Sequence, residues 1–149
     1  MKNFIKNRKG FTLVELVVVI AILGILAGLA IPRFMDATAT ARGARIVADM
    51  RTIDSAIMIY NAKTGNLPTT IAQITTDAAD GTVNPTTFKL LAAWPTPPTG
   101  TAKVTASNGS EITITPTATE YGLGTGANVG RAVYGAKTID QLLAVTTTP

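Results

Sequence analysis

Side chains able to move protons or hold metals are few in this sequence. Histidine and cysteine are absent, which removes the commonest general base, the commonest metal ligand, and all thiol or disulfide chemistry. Nine carboxylates remain. Asp77, Asp80, Glu111, Glu120 and Asp140 are scattered, with no spacing that would pair two of them for catalysis. The glycine-rich stretch 122–130 lacks the Gly-Lys-Ser/Thr ending of a phosphate loop. The pattern points away from an enzyme and calls for no cofactor. Glu15 stands apart from the other acids. It lies in the run Phe11–Ile31, 21 residues whose only other polar member is Thr12.

The element that carries Glu15 has the dimensions of a membrane span. As a helix it would be about 31 Å long, matching the hydrocarbon core of a bilayer. Lys2, Lys6, Arg8 and Lys9 precede it without an acid among them, and Arg33 and Asp36 follow it. That asymmetry keeps the short N-terminal tail in the cytoplasm and puts the bulk of the chain outside. The net charge of +4 belongs to this tail, because from Phe11 onward nine basic side chains face nine acidic ones. An ordinary secretory signal has a shorter apolar region and a small-residue cleavage site, and Ala27-Gly28-Leu29-Ala30 is a poor one. A plain anchor leaves Glu15 unexplained, since a carboxyl group in a span costs up to about 2–3 kcal/mol.

Lys9-Gly10-Phe11-Thr12-Leu13-Val14-Glu15, followed by an unbroken apolar run, resembles the processing motif of type IV pilins and pseudopilins. The resemblance implies a leader cut between Gly10 and Phe11 by a prepilin peptidase, and N-methylation of the new terminus at Phe11. It also implies a filament in which Glu15 lies near the terminal amine of a neighbouring subunit. Pairing those charges in a low dielectric would offset the desolvation of both. Gly24 and Gly28 form a GxxxG, which lets helices approach closely in lipid. Pro32 lacks a backbone donor and its ring crowds the carbonyl of Gly28. By the same resemblance, Gly24, Gly28 and Pro32 mark a weak point in the helix that loses hydrogen bonds in filaments.

Beyond the span the period changes. Ile46, Met50, Ile53, Ile57 and Tyr60 form one helical stripe, with Arg42, Arg45, Asp49, Arg51 and Asp54 largely off it. Lys63 and Gly65 signal the helix end. A helix from Phe11 to Lys63 would be about 80 Å long, too long for a compact domain unless its first half is buried elsewhere.

From Thr69 on, threonine, glycine and proline favour strands and loops. In Thr101–Thr115 a three-residue loop, Ser107-Asn108-Gly109, pairs Val104 with Ile112 and Ala102 with Ile114, and puts Gly109 in the left-handed position. Arg131–Tyr134 is a further strand. Ile139–Val145 is read as a strand in preference to a short helix, and Thr146–Pro149 as a frayed end. Leu67-Pro68-Thr69-Thr70 is a loop, not a sorting signal. Ala93–Gly100 resembles the connector of some pilins, without the cysteine pair that closes this region in many of them. Trp94 and the proline run take over that task or pack in the core. Relatives among the major pseudopilins suggest calcium, for which Asp77 and Asp80 are the only close acidic pair after the helix. Asn108-Gly109-Ser110 is a sequon at chance level.

The expected fold is α+β: a long N-terminal helix, hydrophobic half protruding, amphipathic half packed on a small antiparallel β-sheet head. The expected divisions are a leader at 1–10, a transmembrane or filament-core helix at 11–32, an amphipathic helix at 33–64, and connector plus head at 65–149. The resemblance implies a major pilin, a homo-oligomeric filament subunit that is a single-pass membrane precursor first and an extracellular pilus component later. Its partners would be the prepilin peptidase, the assembly platform and its ATPase. A pseudopilin of a secretion or competence system is the alternative. A DNA-binding minor pilin is a second, disfavoured because four basic residues after Gly65 face five acidic ones. Adhesion, motility and DNA uptake are all open to such a filament.

Overall fold

A computed structural model describes residues 10–76, 78–79, 87–115 and 118–144, with 78–79 and 87–88 as backbone. The leader up to Lys9, the Asp77–Asp80 pair and the C-terminal segment 146–149 lie outside the described residues.

Helix α1 spans Leu13–Thr64, 52 residues, and runs without a break through Gly24, Gly28 and Pro32. It stops where the sequence places a stop. Gly65 takes φ +72, and its N–H donates to the carbonyl of Asn61 at 2.8 Å. This is the left-handed cap that glycine adopts without a Cβ penalty. The chain divides into two compact units, one up to Ala37 and one from Thr38.

In the first unit every described side chain is exposed, including the apolar ones from Phe11 through Met35. A Cβ added at Gly24 or Gly28 would meet nothing within 4 Å.

The second unit is built on the other part of α1. Ile46, Met50, Ile53, Ile57 and Tyr60 are all buried, so the stripe is the core face. Gly43 and Ala56 extend it. Across from it pack Ile74 of α2 (Ala72–Thr75), Ala102 and Val104 of β3 (Ala102–Thr105), Ile114 of β4 (Glu111–Ile114), Tyr121 of β5 (Tyr121–Leu123) and Ala132 and Tyr134 of β6 (Ala132–Tyr134). The antiparallel strands form three separate pairs among the described residues: β1 (Ala78–Ala79) with β2 (Thr87–Phe88), β3 with β4, and β5 with β6.

The β3–β4 register is the expected one, Ala102 opposite Ile114 and Val104 opposite Ile112. The N–H of Ala106 donates to the carbonyl of Ser110 at 2.8 Å and closes a loop of three residues, with Gly109 at φ +84. The alternation in β3 buries Ala102 and Val104 and turns Thr105 to solvent.

The expected strand at Ile139–Val145 is instead helix α3, Ile139–Leu143. A capping box decides it. Thr138 Oγ1 accepts from the N–H of Gln141, and Gln141 Oε1 accepts from the N–H of Thr138 at 2.8 Å. Two backbone donors are satisfied in this way. Ile139 and Leu142, three apart, then share the buried side.

Candidate functional site

At the start of α1, Thr12 and Glu15 hold one another. Glu15 Oε2 accepts from the N–H of Thr12 at 2.9 Å and from its hydroxyl at 2.8 Å, while the N–H of Glu15 donates to Thr12 Oγ1 at 3.2 Å. This is a reciprocal capping box around the first turn. A carboxylate there also meets the positive end of the helix dipole. Glu15 is thus not a bare charge in the single chain, although the sequence reading treated it as one. The Thr-x-x-Glu spacing before an apolar run was the available signal. Gly10 and Phe11 precede the helix, and Phe11 is 80% exposed. Gly10 is exposed as well.

The second unit holds its strands against α1 with side chains that the sequence reading placed off the core stripe. Asp49 accepts from the hydroxyl of Tyr121 at 3.0 Å. Burial first, then this carboxylate, holds the Tyr121 phenol well above its usual range. The ring of Tyr121 lies against that of Tyr134, centroids 5.6 Å apart. Asp54 accepts from the N–H of Ala132 and from Arg131 Nε at 3.3 Å. Arg131 Nη2 reaches on to Asp140 at 2.9 Å, so the guanidinium of the residue just before β6 joins α1 to α3. Burial also raises the Tyr134 phenol, whose hydroxyl has no partner among the described residues.

The proline-rich connector is tied at three points. Trp94 Nε1 donates to the carbonyl of Tyr121 at 3.0 Å, Arg42 Nη1 to that of Thr101 at 3.0 Å, and Arg45 Nη2 to that of Thr96 at 3.4 Å. Trp94 both packs against the core and serves as a tether. The two arginines were missed because their partners are main-chain carbonyls, which leave no trace in a sequence. Gly43 was missed too. A Cβ there would collide with the carbonyl oxygen of Lys103, so β3 passes directly over the helix backbone.

Among the described residues no group of three or more acidic side chains could hold a metal ion. The glycine-rich loop after β5 is fixed by amides: Gln141 Nε2 donates to Asn128 Oδ1 at 3.2 Å, and Asn128 Nδ2 donates to the carbonyl of Ala136 at 3.3 Å.

Residues 5–31 match the profile of the prokaryotic N-terminal methylation motif. The chain is 44% identical over 61 residues to the type IV narrow pilus major component PilA5 of Thermus thermophilus, a match covering 41% of this chain and 53% of that one. It is 47% identical over 51 residues to a fimbrial protein of Pseudomonas aeruginosa, covering 34% and 33%. It is 38% identical over 65 residues to the type II secretion system core protein G of Klebsiella michiganensis, covering 44% and 46%. By its N-terminal segment, the chain is similar to type IV pilins and pseudopilins. The matches span about a third to a half of these relatives' lengths. No solved structure matches the chain. Its α+β arrangement, a long N-terminal helix packed on small antiparallel strand pairs, is pilin-like. Such relatives are structural proteins, and the hydrophobic part of α1 is long and apolar enough to cross a membrane.

Proposed function

We propose that this chain is the major subunit of a type IV pilus. The precursor sits in the cell membrane through the apolar part of α1. A prepilin peptidase removes residues 1–10, Phe11 becomes the N-methylated terminus, and the platform and ATPase draw subunits into an extracellular filament. The observation that carries this reading is the uncovered apolar surface from Phe11 to Met35 on an unbroken helix. A helix apolar on all sides belongs in lipid or among other helices, and a pilin uses it in both settings in turn. Gly24 and Gly28 leave room for a neighbour at one side of it. In the filament Glu15 would exchange Thr12 for the amine of Phe11 on an adjacent subunit.

The test is mass spectrometry of the mature protein together with electron microscopy of the cell surface. A terminus at N-methylated Phe11 in long surface filaments is expected. An intact Met1, or a start near Ile31, would overturn it. Similarity to type II secretion core protein G, 38% identity over 65 residues, favours a pseudopilin as the second reading. In that case the surface carries no long filaments, and loss of the gene stops type II secretion.

A further inference from the structure

We propose that Asn108 is a site of spontaneous deamidation, held ready by the β3–β4 turn. Residues 107–110 are all exposed. Gly109 follows Asn108 at φ +84 and carries no side chain to crowd the approach to its nitrogen. Asn108 Oδ1 accepts two hydrogen bonds from Ser110, from the main-chain N–H at 3.0 Å and from the hydroxyl at 2.8 Å. Two donors on one carboxamide oxygen draw charge from its carbon. They are also in place for the negative oxygen that forms when a nucleophile adds there, the logic of an oxyanion hole.

The nucleophile is the main-chain nitrogen of Gly109. Its N–H donates to the carbonyl of Ala106 at 3.0 Å, and this bond opens as the proton passes to solvent. A bond forms from that nitrogen to the side-chain carbon of Asn108. The bond to Nδ2 breaks, and ammonia leaves after taking up a proton. Water then opens the cyclic imide at either carbonyl, giving aspartate or isoaspartate. The sum is one water consumed and one ammonia released, with no other reactant. The other asparagines among the described residues are worse placed. Asn61, Asn66 and Asn128 precede Ala, Leu and Val, whose side chains crowd the attacking nitrogen. Asn128 is also engaged with Gln141.

The turn selects between the two products. A carboxylate at position 108 keeps both Ser110 donors in charge-assisted form. Isoaspartate lengthens the main chain of a loop whose length sets the β3–β4 register. The fold therefore favours the aspartate, and each converted subunit gains a negative charge beside Glu111.

The full chain, incubated in detergent at mildly alkaline pH, is digested and mapped by mass spectrometry over time. Conversion at Asn108 ahead of every other asparagine is expected, with aspartate the larger product. Ser110→Ala slows it about tenfold, and Ser110→Thr, which retains both donors, restores the rate. Asn108 unchanged while Asn61 or Asn66 converts would overturn the proposal. So would Ser110→Ala converting as fast as the parent.

Discussion

On the proposed function Glu15 would have two partners to choose between, and the choice would separate membrane residence from assembly. In the single chain its carboxylate is satisfied by Thr12 of the same helix. That lowers the cost of carrying an acid at the edge of an apolar segment. In the proposed filament a neighbour's amine would take its place. Glutamine at this position keeps an acceptor for the Thr12 N–H and loses the charge, whereas leucine loses both. Glu15→Gln and Glu15→Leu should therefore both insert and be cut after Gly10, since the peptidase reads mainly the leader and the cut site. Both should fail to assemble, because each leaves the Phe11 amine buried without its counter-charge, a loss of about 3–5 kcal/mol. Processed subunits in the membrane fraction with few filaments are the expected readout. If Glu15→Gln builds normal filaments while Glu15→Leu does not, the cap is what matters and the charge pair is not.

At the scale of elements, the close passage of β3 over α1 is the most exposed to mutation. Gly43→Ala puts a methyl group where the Lys103 carbonyl stands. Backbone must move, and the expected loss is about 1–3 kcal/mol, read as a lowered denaturation midpoint of the detergent-solubilised chain. A midpoint unchanged from the parent would mean that β3 does not lie on the helix in this way. Gly43 illustrates what the sequence leaves unsaid. The stripe from Ile46 to Tyr60 was legible because helical period alone fixes a buried face. The β3–β4 register was legible because one loop length alone puts Val104 and Ile112 on the same side. Helix α3 was misjudged because its apolar residues fit either period, and only the Thr138–Gln141 cap separates them. The ties from Arg42, Arg45, Asp49 and Asp54 join residues tens of positions apart, and nothing in local pattern announces such pairings. The Thr12–Glu15 cap has a local signal, Thr-x-x-Glu ahead of an apolar run, which the sequence analysis did not use.

At the scale of the molecule, the two units answer to different solvents, and this gives the broadest test. From Thr38 onward the chain has its own core, with Met50 and Ile53 fully buried and Arg131 joining Asp54 of α1 to Asp140 of α3. Among its described residues the first unit has no core, and every side chain there is exposed. A chain starting at Arg33 should therefore be soluble without detergent and melt cooperatively, while the full-length chain needs lipid, detergent or its neighbours. Within the shortened chain, Met50→Asp should abolish the folded state. It sets an unpaired charge among Ile46, Ile53 and Ile57, at a cost comparable to the whole stability of a small domain. Circular dichroism and thermal denaturation read both outcomes. Should the shortened chain collect only as insoluble material under varied expression conditions, the second unit depends on the first. Should Met50→Asp melt like the parent, the stripe is not the core. Either result would undo the division of labour on which the pilin reading rests.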